Sequence, residues 1–401
     1  MKKVLFTLTI GLIILFSVGC WNQRELNDLA IAMPLGFDKV EDAVNVTIQV
    51  VLPEEAKEPS YYTPVTVYTE TAGSVFEAFR KMTTQSPRKI YLPHFRVMVI
   101  NEELAREGII ETLDMLVRDH ELRSDFFIVV AKDGYEAEDI LEIMTPFERI
   151  PANEMFSALQ TSQAAWAPTT TILLDELLTN LVTEGKEAVL TGVTIYPTLS
   201  EKGKAKENVE RIDPNSVLKA SNVGVFKGDK LVGWLNEDES KGFNYIIGNV
   251  QSTVGRIECP TSGELVVEIK GVEEKIIPHV INGKPEIEID LTIYANIGEV
   301  LCTVDLTDPE VIKELEKSME DQLQEVVQSS IVTSQEKYGS DIFGFGNAIR
   351  KKYPKQWKTL KDNWDEEFSR LPITYSMKGV IEITGTVDQS FFKKFKEMDE
   401  K

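Results

Sequence analysis

Apolar positions recur along this chain with two periods, and the switches between them mark out its elements. Val44-Asn-Val-Thr-Ile-Gln-Val50 and Val65-Thr-Val-Tyr-Thr69 alternate residue by residue, which predicts half-buried strands. From Ser74 to Met82 the spacing becomes helical, with Val75, Phe76 and Phe79 on one face. A compact apolar run from Phe95 to Ile100 predicts a buried strand. Glu102 to Asp119 predicts one helix whose stripe is Leu104, Ile109, Leu113 and Leu116 or Val117. Phe126–Val130 is a further strand, and Ala137–Met144 a helix stopped by Pro146. Helices over 153–166 and 172–182 lead to a strand at Ala188–Tyr196. Strand and helix in alternation predict a mixed sheet with helices on its faces.

The pattern then changes. Residues 201–215 are charged, carry Gly203 and Pro214, and read as a linker or an exposed loop. Val223 to Leu235 is a hairpin turning at Lys227-Gly228-Asp229, followed by a short helix within 237–250. Leu265–Ile269, Lys275–Val280 and Glu286–Tyr294 alternate as strands, with Asn282-Gly283 as a turn. Asp308-Pro309 supplies an N-cap and a first-turn proline for a helix reaching about Tyr338. Its stripe is Ile312, Leu315, Met319, Leu323, Val326 or Val327, and Ile331. An isolated coiled coil is the alternative, but the strands beyond it favour packing on a sheet. A helix near Ile342–Lys352 precedes another that opens at Pro354 and sets Trp357, Leu360, Trp364 and Phe368 on one face, a core pattern. Ile373–Val387 reads as a closing strand pair before an amphipathic tail from Phe391. The expected class is α+β.

The first twenty residues follow neither period. Met1-Lys2-Lys3 precedes an apolar run, Val4 to Phe16, and then Ser17-Val18-Gly19-Cys20. This is the layout of a secretory signal, and the run is short of the roughly 20 residues a bilayer span needs. A cysteine directly after a small residue marks a lipoprotein processing site, at which Cys20 would carry an S-diacylglyceryl group and an N-acyl chain. Ser17 departs from the leucine usual at that place. An uncleaved anchor, or an ordinary signal peptide with a chance cysteine, are the other readings. Without Lys2 and Lys3, 41 basic residues face 65 acidic ones, a net charge of −24 on the mature chain. So acidic a body is a poor partner for nucleic acid or for anionic headgroups, so a lipid rather than charge must hold it on a membrane.

Candidate chemistry is sparse. Cys259 and Cys302 can pair after export, but their apolar contexts favour buried free thiols. His94, His120 and His279 lack metal-ligand spacing, and no H-E-x-x-H or G-x-S-x-G motif occurs. The Gly-Lys pairs lack the earlier glycine of a phosphate loop, and Gly344-Phe-Gly346 reads as a tight turn between helices. The acidic runs Glu237-Asp238-Glu239 and Asp362–Glu367 read as solvated faces. No metal, cofactor or catalytic set is expected, which points to a binding or assembly protein.

An ordered set of motifs resembles the Ger(x)C proteins, the C subunits of spore nutrient-germinant receptors. It begins with Cys20-Trp-Asn-Gln-Arg-Glu-Leu-Asn27 behind the signal, then Leu35-Gly-Phe-Asp-Lys39, Leu92-Pro-His-Phe95 with Glu102, and Arg118-Asp119-His-Glu-Leu-Arg123. It resumes at Val225-Phe-Lys, Leu231-Val-Gly-Trp-Leu235 and Asp341-Ile-Phe-Gly-Phe-Gly346, with Trp357 and Trp364. The resemblance implies a non-enzymatic lipoprotein on the outer face of the spore inner membrane, working with A and B type membrane subunits. It implies three domains, each a mostly antiparallel or mixed sheet flanked by helices. Their limits are 1–19 for the signal, 20–200, a linker at 201–215, 216–297 and 298–401. Arg118, Asp119 and Arg123 become candidates for partner docking, with a charged helix end as the plainer reading, and Trp21–Asn27 either fixes the body near the lipid or is a tether. A lipid-anchored solute-binding protein serving a transporter is the competing function.

Overall fold

The alternating segments fold as strands of a mixed sheet. The computed structural model describes residues 28–52, 63–118 and 122–383. β1 (Leu29–Val40), β2 (Ala43–Val51) and β3 (Val65–Ala72) form an antiparallel edge. Helix α1 (Val75–Met82) follows, its first turn capped where the Ser74 hydroxyl accepts the Glu77 N–H. β4 (Lys89–Tyr91) lies parallel to the start of β1, and β5 (Val97–Asn101) runs parallel to the rest of it. The helix expected over 102–119 is broken into α2 (Glu102–Glu107) and α3 (Ile110–Arg118). Gly108, at φ 140°, turns the chain there, and the Ile109 N–H leaves the helix ladder to donate to the Asp229 carbonyl. The predicted stripe is buried with Leu116, not Val117, as its last member.

β6 (Phe127–Ala131) and β7 (Val189–Tyr196) extend the parallel centre. Helices α4 (Ala137–Glu142), α5 (Pro151–Ala165) and α6 (Leu174–Val182) lie between them in sequence. β5 and β6 are buried at every position, as strands covered on both faces must be. The hairpin β8 (Val217–Lys227) and β9 (Lys230–Trp234) then pairs antiparallel with β7. The nine-stranded sheet runs β3-β2-β1-β5-β6-β7-β8-β9, with β4 beside β1.

Helix α7 (Glu237–Ile246), whose acidic first turn forms a capping box with Asn236, leads to a second sheet. There β10 (Thr253–Glu258), β11 (Glu264–Ile281) and β12 (Lys284–Val300) are antiparallel, and β13 (Ile373–Ile383) is parallel to β12. The two short strands expected at 265–269 and 275–280 are one long strand, irregular in register near Gly271. The strand pair expected over 373–387 is a single strand in the described residues. α8 (Pro309–Val332) passes into a π-helical turn at Thr333–Tyr338. It packs on β10 and β13 through Leu315, Met319, Leu323, Val327 and Ile331, the expected stripe apart from Ile312, which is half-buried. α9 (Phe345–Lys352), α10 (Pro354–Leu360) and α11 (Trp364–Ser369) complete the crossover to β13, with a 3-10 turn dividing the helix expected from Pro354. Sheets of mixed pairing with flanking helices make the fold α+β, as expected.

Three further expectations change. Residues 201–215 form a largely exposed loop, one of the two readings, but it is tied to the body and not free: the buried Asn208 amide donates to the Met144 and Ser216 carbonyls, and Lys204 bridges Asp139 and Glu142. The limits at 216 and 297 do not follow the sheets, because β8 and β9 complete the first and β13 completes the second. Cys259 and Cys302 are disulfide-bonded rather than free. β10 ends and the chain after β12 begins on either side of the start of β11, which brings the two thiols together.

Candidate functional site

Several of the residues matched in the sequence gather in two buried joints and one open groove, and the matched Trp234 donates its indole N–H to the matched Glu102 at 3.1 Å. In the first joint, Asp38 on β1 is 2% exposed and accepts the N–H groups of Ala137 and Glu138, at the N-terminus of α4. A strand thus caps a helix almost a hundred residues away, satisfying two of its orphan donors. Gly36 lets the helix lie close, since a Cβ there would stand 3.1 Å from the Ala137 Cβ. Burial pushes the Asp38 carboxyl up to about 7; the two backbone donors oppose this and the neighbouring Glu136 adds to it.

The second joint is built by Asp341. Its Oδ1 accepts the N–H groups of Gly344 at 2.9 Å and Phe345 at 3.1 Å. Its Oδ2 accepts Gly346 N–H at 2.7 Å and the Trp364 indole N–H at 3.0 Å. A carboxylate offers about four lone-pair positions, so Asp341 is saturated. Burial pushes it up to about 6 against these donors. Saturated in this way, it serves as a cap for α9, not an acid or base. Gly344, at φ 81°, makes the expected tight turn.

This joint also fastens the C-terminal helices to the first sheet. Glu187 N–H donates to the Asp341 carbonyl, and Asn347 N–H to that of Gly185, each at 2.8 Å. The Trp357 indole donates to Glu184 at 2.9 Å. Gly185 and Gly346 touch backbone to backbone: a Cβ on Gly346 would lie 2.8 Å from the Gly185 Cα and 2.6 Å from the Trp364 ring. Burial raises the Glu187 carboxyl and lowers the Lys186 ammonium. Trp357 and Trp364 are buried edge to face, core residues as their pattern predicts.

The groove, about 590 Å³, lies between α1 and α3. Its apolar floor is Phe79, Ile90, Leu92 and Met115, and Arg80, Lys89 and Arg118 stand at its rim. The face read for α1 is therefore divided. Val75, Ala78 and Met82 enter the core, while Phe79 turns into the groove and Phe76 is 56% exposed beside it. Arg118, a candidate docking residue, sits here paired with Asp114 at 2.7 Å, which raises the Arg118 guanidinium and lowers the Asp114 carboxyl. Arg123 pairs instead with Asp125. Asp119 and Cys20 lie outside the described residues, as do Trp21–Asn27, His120 and 384–401. Among the described residues, no cluster of three or more His, Cys, Asp or Glu is placed to hold a metal.

Sequence reasoning singled out both motifs but not their chemistry. Asp341, three to five residues ahead of the donors it caps, carried a local signal. Asp38 carried none.

Comparison with known proteins covers most of the chain. Two family descriptions match, "Spore germination protein N-terminal domain" over residues 22–195 and "Spore germination B3/ GerAC like, C-terminal" over residues 221–385. The chain is 31% identical to Spore germination protein KC of Bacillus subtilis (strain 168), over 99% of both chains. It is 25% identical to Spore germination protein YndF of the same organism, over 96% of this chain and 98% of that one. The solved structure described as the GerBC protein has the same fold, with a TM-score of 0.52 over 88% of this chain and 97% of that one, at 22% identity.

Proposed function

Since the chain belongs to the spore germination B3/GerAC-like family, we propose that it is a non-enzymatic subunit of a nutrient germinant receptor, held by a lipid on Cys20 to the outer face of the spore inner membrane. It acts there with A and B type membrane subunits. The observation that carries the reading is the identity to a spore germination protein along nearly the whole of both chains. Two features support it. The buried carboxylates Asp38 and Asp341 are occupied by backbone and indole donors, so the matched motifs serve to hold elements together rather than to do chemistry. No helix among the described residues is long and apolar enough to cross a membrane.

The test is affinity isolation of the tagged full chain from spore membranes, with acyl analysis of the N-terminal peptide. Recovery of both membrane subunits, diacylglyceryl on Cys20, and loss of nutrient-triggered germination on deletion are expected. Isolation of the chain alone, together with unchanged germination of the deletion strain, refutes the proposal. Tight nutrient binding by the chain itself would favour a solute-binding role.

A further inference from the structure

We propose that the groove between α1 and α3 docks on the bilayer, taking anionic phospholipid of the leaflet that carries the Cys20 lipid. This rests on the lipid anchor proposed above. The argument begins with where the described chain starts. Leu29 pairs with Lys89, so the chain enters the body one strand spacing, about 4.8 Å, from the groove's rim. Eight peptide steps separate Cys20 from Asp28, at most about 28 Å of chain. A lipid on Cys20 therefore keeps this edge of the first sheet within reach of the headgroups.

The chemistry of the edge fits that neighbour and departs from the rest of the molecule. The full chain carries 65 acidic and 43 basic residues. Yet the residues lining the groove include three basic ones, Arg80, Lys89 and Arg118, against one acid, Asp114. That acid is itself paired by Arg118. Basic residues at a bilayer surface attract anionic headgroups. The apolar side chains are set for the layer beneath. Phe76 and Val117 are 56% and 53% exposed, and Arg80 lies over the Phe76 ring at 5.0 Å. Phosphate at the rim and the upper acyl chain on the floor would satisfy both halves. Net charge argues against such contact, but charge is screened within about 10 Å at 0.1 M salt, so the local patch decides.

Hydrogen exchange of the full, acylated chain tests this in nanodiscs of phosphatidylcholine with and without phosphatidylglycerol. Amides of 75–82 and 110–118 should slow about tenfold with phosphatidylglycerol, while those of β11 and β12 stay unchanged. Arg80→Glu with Lys89→Glu, two exposed positions, should abolish the slowing and leave β11 and β12 as they were. Acyl present on Cys20 with no slowing in either lipid overturns the docking alone. Absence of acyl overturns the anchor and the docking with it. Slowing that appears only when the membrane subunits are added makes the groove a protein interface and also overturns the proposal.

Discussion

The two buried aspartates do similar work in different company. Asp38 caps α4 with two backbone donors and has Glu136 for a neighbour. Asp341 caps α9 with three backbone donors and holds the Trp364 indole as well. Both are pulled out of water, which disfavours charge. The better-served carboxylate rises only to about 6, the other to about 7. Asp341 has more donors and Asp38 has an acidic neighbour, Glu136, and both differences favour the charged form at Asp341. The Asp341 joint also ties the C-terminal helices to the loop before β7, whereas the Asp38 joint lies within the first sheet and its own helix.

The sharpest way to break this comparison is to remove each carboxylate. Asp341→Ala would strand four buried donors and is expected to cost about 3–5 kcal/mol in urea unfolding at pH 7. Asp38→Ala loses a two-donor cap, at about 1–2 kcal/mol. Equal losses would mean that donor number does not rank the joints. The glycines beside them test close approach at smaller scale. Gly346→Ala meets backbone and an indole inside 3 Å and should cost about 2–3 kcal/mol. Gly36→Ala, whose nearest neighbours stand at 3.1 and 3.3 Å, should cost less than about 1.5 kcal/mol by the same measurement.

What the sequence disclosed follows from how local each cause is. β12 alternates because α8 covers one face of its sheet and the other face is half exposed, so its period of two survives in the residues. β5 and β6 are covered on both faces and appear as unbroken apolar runs. The stripe of α8 and the core tryptophans were legible for the same reason. Gly108 was in plain view, yet the apolar spacing runs through it, and only the bond from Ile109 to Asp229 shows why the helix stops. Phe76 and Phe79 carried a helical period, but the core takes Val75, Ala78 and Met82 and leaves the aromatic pair to the groove. The Asp38 cap and the Cys259–Cys302 bond are long-range, and no spacing along the chain encodes a partner 99 or 43 residues distant.

The two aspartates also separate by pH. Each has a folded-state value above the ordinary 3.8, so the folded chain binds the proton more tightly than the unfolded chain does. Stability from such a group is fully present below the unfolded value and is lost as pH rises through the folded one. For Asp341 the window runs from about 4 to 6, and for Asp38 from about 4 to 7. Between pH 6 and 7 Asp38 is therefore the main contributor of the two, and one proton sets a ceiling near 1.4 kcal/mol per pH unit. Urea midpoints taken from pH 4.5 to 7.5 should fall for the parent chain. Asp38→Asn should flatten the fall up to about pH 7, and Asp341→Asn only the part below about pH 6, each on its own lowered baseline. Identical slopes in all three proteins would show that neither carboxyl holds a proton in the fold. The difference in donors would then set strength alone, and the two joints would titrate like exposed acids despite their burial.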